Sequence, residues 1–558
     1  MSSAAQGADL VDPGYWGRRY SRGVEFAQLE RGLPSPVANH VRVGMFLRWL
    51  GQDVLPNRQT RLSSQRYRPT VFAGKILGIR VCPIRPPELC EFYLHRSKRP
   101  RGIMSKSQKT KLGFFSSGVV VFTTVVGAGV FTTTGHFAAE LGEGWAVLAA
   151  VLLAGILAFL SALTTAELGA MIPSSGGEVV YFRRALGPLA SYVFGVISGP
   201  FAWTVGSAFV AGTLGKHLSN LFPAIPEKVA AVIAIAILMA IHLRGLKTGV
   251  LFNNFMTVIK VALVLVFILS GLTALGFGEV AETTLSESLF SSAGAPADET
   301  ERGWLEKIFF ASIIAGFAFT GYNAIVLMAG EVDQPDRNIP RSLIIGLGLI
   351  TVLYLLVNTV FIWTTPVAQM VGADGEGIPD LGTHTARVLF GDHAAMLFDA
   401  VFVLVLIPTL SSCLQVSSRV IWRLARDGEL VPALGATSDS GTPRPALILQ
   451  TLLLVIAVVA VDKASLLLVN GMCVLLMDFP TAMTIFILRR KEPDTLRPFK
   501  VPLYPWVPLV RVLLAVYAGY SFVMKDENHG PLALGMVIVI LALRPIFKLA
   551  NQGKKAQD

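Results

Sequence analysis

Between residues 114 and 548 the chain returns again and again to one unit, a long apolar run closed by a short polar stretch. Laid out as a helix at ~1.5 Å per residue, ~20 residues cover the ~30 Å of hydrocarbon in a bilayer. Hydrocarbon offers no partner to a free backbone N–H or C=O, so each run must satisfy its own backbone, as a helix does. The runs fall at roughly 114–139, 145–170, 188–214, 228–244, 249–275, 305–330, 342–364, 394–422, 445–461, 465–488, 504–523 and 530–548. Only 15% of the residues are charged and 53% are hydrophobic, against ~25% charged in soluble globular proteins. The pattern predicts an all-α integral membrane protein with twelve transmembrane helices.

Charge placement supplies the orientation. If the N-terminus is cytoplasmic, one set of loops holds Arg183, Arg184, Arg244, Lys247, Arg337, Arg341, Arg423, Arg426, Arg444, Arg489, Arg490, Lys491, Arg497 and Lys500. The tail adds Lys548, Lys554 and Lys555. Loops on the other side are acidic, with Glu279, Glu282, Glu287, Asp298, Glu299 and Glu301. An excess of Lys and Arg on the cytoplasmic side is the usual asymmetry of such proteins. Both termini are therefore expected in the cytoplasm, which an even number of spans requires. The plasma membrane is the expected location, an organelle membrane the alternative.

Residues 1–103 are a different material. They hold 15 Arg and 2 Lys against 7 Asp and Glu, and so supply +10 of the formal charge of +11. Their Pro, Gly and Arg content reads as a disordered extension, not as a nucleic-acid module. A targeting segment and a translation start at Met104 are the two alternatives for it. The expected organisation is thus an extension over 1–103, a helical domain over 104–548 and a cytoplasmic tail over 549–558. Cys82, Cys90, Cys413 and Cys473 show no metal-ligand spacing and no disulfide framework. No nucleophile–base pair, metal cluster or phosphate loop points to an enzyme, and neither a metal nor a cofactor is expected.

Two apolar runs are interrupted in corresponding places. Gly127-Ala128-Gly129-Val130-Phe131 sits within the first, and Ala315-Gly316-Phe317-Ala318-Phe319-Thr320-Gly321 within the sixth. Glycine is a poor residue for a helix interior. A helix opened there turns backbone groups toward a ligand at mid-membrane depth, and a pair of such breaks is the sequence pointer to a secondary transporter's binding site.

With these breaks placed on twelve spans, the chain resembles the amino acid permeases of the amino acid–polyamine–organocation (APC) superfamily. The first-helix glycine motif carries part of the resemblance. Thr165-Ala166-Glu167-Leu168-Gly169 with Pro173-Ser174-Ser175-Gly176-Gly177-Glu178 resembles the second helix and the loop after it. Phe317-Ala318-Phe319-Thr320-Gly321-Tyr322-Asn323, running into Gly330-Glu331-Val332 and Asn338-Ile339-Pro340-Arg341, resembles the sixth helix and its exit. Arg497-Pro498-Phe499-Lys500-Val501-Pro502 resembles the loop after the tenth. The resemblance covers nearly all of residues 105–548. It implies a LeuT-like fold, two inverted five-helix repeats plus two C-terminal helices, working by alternating access.

A free L-amino acid suits the breaks. A half-helix beginning near Gly129 would present unpaired N–H groups to the carboxylate, with Gly127, Ala128 and Gly129 as substrate-binding positions. Carbonyls of Val125, Val126, Phe317, Ala318 and Thr320 would take the ammonium. The resemblance implies that Phe317 closes over the substrate as a thin gate and that Asn323 faces its side chain. Lys260, deep in the fifth run, is costly there unless paired or neutral. The resemblance places it where an ammonium replaces a sodium ion, with Ser411 and Ser412 as candidate neighbours. Proton coupling or sodium-independent exchange is expected, and sodium is the alternative if Lys260 points away. Asp399 and Asp478 fall within runs and start under the same suspicion. Glu167, Glu178, Arg183, Arg184, Glu331 and Arg341 are candidates for an inner gate of charge pairs.

Two rivals remain: a receptor of the same fold without net flux, and a polyamine carrier. The second needs acids in the pocket, and the neutral Asn323 leans toward amino acids with neutral side chains. The loop between the third and fourth runs, Lys216 to Pro223, has no cysteine, so no disulfide-linked heavy chain is expected.

Overall fold

A glycine and proline vocabulary sets where the helices open and end. In the computed structural model, residues 111–277, 289, 303–365, 367–370, 377–378, 381–391 and 394–555 are described. The extension expected over 1–103 and the acidic loop residues named above lie outside them. The first apolar run folds as α1 (Phe114–Val125), α2 (Gly129–Thr132) and α3 (Thr134–Leu141). Then come α4 (Gly144–Met171), the short α5 (Glu178–Ala185), α6 (Pro188–Val196), α7 (Thr204–Leu221), α8 (Glu227–Leu243) and α9 (Leu246–Phe277). The sixth run gives α10 (Trp304–Gly316), a 3₁₀ turn over Phe317–Phe319 and α11 (Ala324–Leu327). The rest is α12 (Pro335–Thr364), α13 (Leu381–Phe390), α14 (Ala394–Arg426), α15 (Arg444–Ala460), α16 (Lys463–Lys491), α17 (Trp506–Lys525) and α18 (His529–Lys555).

Every apolar run of the sequence coincides with a helix or a broken helix, and no strand occurs among the described residues. Among the described residues nine spans are long and apolar enough to cross a bilayer, two of them composite: Phe114–Thr132, from α1 into α2, and Pro188–Leu221, from α6 into α7. Of the remaining runs, two form the 17-residue helices α8 and α15, and the third is the broken segment α10–α11. The last helix continues past the expected end of the domain at Lys548 to Lys555.

Local chemistry explains the departures from plain helix. Pro200 lacks an N–H and crowds the turn before it, and the chain widens there into a π-helical turn over Ile197–Trp203, between α6 and α7. At the second break Gly321 adopts φ +94°, and a Cβ there would lie 3.0 Å from the Thr124 carbonyl oxygen. Only glycine meets both conditions. α4 stops just ahead of Pro173, whose ring disfavours helical geometry in the preceding residue. α16 opens on Asp462, whose carboxylate accepts from the Ser465 N–H at 2.9 Å.

The outward faces carry large apolar side chains, among them Leu305, 87% exposed, and Leu251, 67% exposed. A belt of that kind is stable against lipid and not against water. The chain just ahead of α1 lies against the exit of the sixth run. Leu112 N–H donates to the Glu331 carbonyl and Asp333 N–H to the Leu112 carbonyl, both at 2.8 Å.

Candidate functional site

The two breaks lie against each other. The Cβ that Gly129 lacks would sit 2.8 Å from the Ala318 Cα, so the absence of a side chain permits the approach. Tyr354, from the middle of α12, places its hydroxyl 2.9 Å from both the Val125 and the Ala318 carbonyl oxygens. Its single proton is shared between the breaks. One cavity of about 160 Å³ is lined by Val125, Gly127, Ala128 and Gly129 from the first break and by Phe317, Ala318, Thr320 and Asn323 from the second. The N–H groups of Gly127, Ala128, Gly129 and Val130 donate to no acceptor among the described residues. Successive free donors of this kind suit an anion such as a carboxylate.

The carbonyls do not stand free as the sequence suggested. Those of Val125 and Ala318 face Tyr354, and that of Phe317 accepts from the Thr320 N–H and hydroxyl. Val126 is buried and outside the cavity lining, and its carbonyl accepts from Lys260 and from Thr409 at 3.1 Å. Only the Thr320 carbonyl, of the five, takes no donor among the described residues. Phe317 meets Phe209 edge-on at 5.6 Å, and both rings line the cavity. Asn323 lines it too, but its amide donates to Glu178 Oε1 at 2.7 Å.

Lys260 is fully buried. Its ammonium donates to the carbonyls of Val126 and Thr123, the latter at 3.2 Å, and to Thr409 Oγ1 at 2.7 Å. The lysine therefore ties α9 to the end of α1 and to α14 and does not reach toward lipid. Thr409, not Ser411 or Ser412, is its hydroxyl neighbour. Ser411 lies 200° further round the helix at ~100° per residue, where it donates to Asn253 Oδ1 at 2.7 Å and meets His242 Nε2 at 2.9 Å. Ser412 Oγ is buried with no hydrogen-bond partner among the described residues.

A sequence model of the family described as amino acid permease matches residues 112–543. The chain belongs to that family. The permease is 26% identical over 437 residues to the b(0,+)-type amino acid transporter 1 of Mus musculus, covering 76% of this chain and 84% of the relative. It is 25% identical over 454 residues to the serine/threonine exchanger SteT of Bacillus subtilis, covering 79% and 96%. The methylthioribose transporter of the same bacterium is 25% identical over 448 residues, covering 76% and 92%. Family and relatives are transporters, and the permease is accordingly an integral multi-pass membrane protein of the APC superfamily that handles amino acids.

The charged residues of the permease find partners that the sequence did not name. Glu167, 1% exposed, accepts from Arg489 at 2.9 and 2.5 Å and from the Val501 N–H at 2.7 Å. Glu331 accepts two hydrogen bonds from Arg419, at 3.0 and 2.9 Å. Arg184 pairs with Glu492 at 2.7 and 2.5 Å and Arg183 with Asp427 at 3.6 Å. Arg341 makes no ion pair among the described residues. Asp399 is buried and held by His217 at 2.5 Å and Asn220 at 3.2 Å. Asp478 binds Arg511 at 3.0 and 2.6 Å.

Thr409, Tyr354 and Arg511 were missed in the sequence, although Arg511 stands in mid-run between valines, where any charge is a signal. Glu178, Asp478 and Arg511 all line the same cavity as the helix breaks. Acids are thus present in the wall after all, and the argument against a polyamine from the neutrality of Asn323 alone does not hold.

Proposed function

We propose that the permease is a secondary active transporter carrying free L-amino acids with neutral side chains by alternating access. In this reading it has twelve spans, with helices one to five and six to ten as inverted LeuT-like repeats, and two further helices at the end. Both termini lie in the cytoplasm and the protein works in the plasma membrane. The observation that carries the reading is the row of free N–H groups at Gly127–Val130 beside the second break. The row takes the carboxylate, and the Thr320 carbonyl takes part of the ammonium. Phe317 with Phe209 forms the thin cover over the site. The paired Glu331–Arg419 and Glu167–Arg489 close the end of the bundle at which the second, sixth and tenth runs terminate.

Transport is driven by protons or by exchange, without sodium. Lys260 already sets a cation among the Thr123 and Val126 carbonyls and the Thr409 hydroxyl, oxygens that would otherwise suit a metal ion. A polyamine meets Arg511 as a fixed cation in the same wall, and repulsion weighs against it.

The test is uptake of labelled amino acids by the full chain in proteoliposomes, under an imposed proton gradient and then a sodium gradient. Accumulation stimulated by protons, or counterflow without any gradient, supports the reading. Dependence on sodium overturns the ion assignment. Binding without accumulation or counterflow makes the protein a receptor of the same fold.

A further inference from the structure

In the wall of the same cavity stands a charged pair that the reading above does not use. Arg511, 4% exposed, is fixed by four contacts. Its Nε and Nη2 donate to Asp478 Oδ1, and its Nη1 donates to the Ser161 carbonyl at 3.3 Å and to the Thr164 hydroxyl. Both contacts on Asp478 fall on the same oxygen. Oδ2 accepts no hydrogen bond among the described residues, and the Asp478 side chain keeps 28% of its surface exposed, on the cavity wall. The other carboxylate of the wall is committed: Glu178 accepts from Asn323 at 2.7 Å and from Ser198 at 3.5 Å, one on each oxygen.

We infer that Asp478 Oδ2 is the acceptor for the side chain of the transported amino acid, which selects uncharged side chains ending in a hydrogen-bond donor, hydroxyl or carboxamide. The inference rests on the permease reading of the breaks and adds the side-chain subsite to it. An aliphatic side chain would strip water from a carboxylate oxygen and give nothing back, which is a cost. A cationic side chain would gain Asp478 only by approaching the Arg511 guanidinium bound to it, and an anionic one would face both acids. A hydroxyl or amide N–H satisfies Oδ2 and adds no net charge. Arg511 acts here as a positioning residue: it holds Oδ1, and so aims Oδ2 into the cavity.

Threonine and valine share a shape and differ by the donor, so they isolate the effect. In the full chain reconstituted in proteoliposomes, threonine, serine and glutamine are expected to compete with labelled alanine at least ~10-fold more strongly than valine, leucine or lysine, as one hydrogen bond to a charged group allows. Equal competition by threonine and valine overturns the subsite, and needs no variant. Asp478→Asn keeps an oxygen for Arg511 but puts an N–H₂ where Oδ2 was. In that variant the threonine-to-valine ratio should fall several-fold, because a neutral hydrogen bond from the amide to the hydroxyl replaces one to a carboxylate, and glutamate, whose carboxylate meets an unmasked Arg511, should begin to compete. An unchanged ratio in a folded Asp478→Asn variant also overturns it. Thermal shift of the detergent-purified protein separates the two readings. Stabilisation by threonine over valine with no uptake removes transport and leaves the subsite. Uptake with equal stabilisation removes the subsite and leaves transport.

Discussion

Gly129 and Lys260 show how much rides on single atoms. A methyl at Gly129 would meet the Ala318 backbone at 2.8 Å, and a backbone cannot yield as a side-chain tip can. Gly129→Ala is therefore expected to part the two breaks and cut uptake at least ~10-fold, since sub-ångström misplacement in a positioning site is costly. Normal affinity and rate in that variant would remove the close approach from the mechanism. Lys260→Ala deletes the donor shared by Thr123, Val126 and Thr409. It should abolish stimulation by a proton gradient while counterflow persists, and an unaltered response to the gradient would clear Lys260 of coupling. That Lys260 needs partners was legible because a charge in an apolar run is conspicuous. Its true partner was not, because Thr409 and Ser411 look alike in sequence and only helical phase tells which hydroxyl faces Lys260. The carbonyls of Val125 and Ala318 could not be read as engaged, since their partner, Tyr354, comes from a helix more than two hundred residues beyond the first break.

Among elements, the apolar runs announced themselves, and so did both interruptions. What escaped was the pairing at the bundle end, because an ion pair between helices depends on azimuth and depth, which charge counting does not supply. The Glu331–Arg419 pair fastens the exit of the sixth run, where a short 3₁₀ turn ends at Glu331, onto α14. Arg419 is 3% exposed, so removing its counter-ion leaves a buried charge uncompensated, at a cost on the order of 3 kcal/mol. If this fastening closes the cavity, Glu331→Gln should open it. Cys413 supplies a native reporter, being a free cysteine in the cavity wall. Its alkylation by a polar maleimide, read by peptide mass spectrometry, should quicken several-fold in Glu331→Gln, with the buried Cys473 as internal control. An unchanged rate would mean that the pair fastens without gating.

For the molecule as a whole, stability should respond to acid through the loops that tie helices together. Arg184 hydrogen-bonds Glu492 and holds its carboxyl below the ordinary value of 4.5. A depressed carboxyl stabilises the fold above that ordinary value and loses its contribution as pH falls through the lower, folded one. The pair is partly exposed, so its contribution is at most ~1 kcal/mol. Thermal unfolding in detergent at pH 7 and pH 3.5 should show a drop on acidification that is smaller in Glu492→Gln. An equal drop would assign the acid sensitivity elsewhere.

The short pairing of Leu112 with Glu331 and Asp333 bears on the same scale. It joins the lead into the first broken helix to the tail of the second, through two backbone hydrogen bonds that no substitution short of proline removes. Tyr354 joins the same two helices at their breaks by sharing one proton between a carbonyl of each. Fastened at two levels, the pair makes a yoke, and a tilt begun in one arm should be delivered to the other.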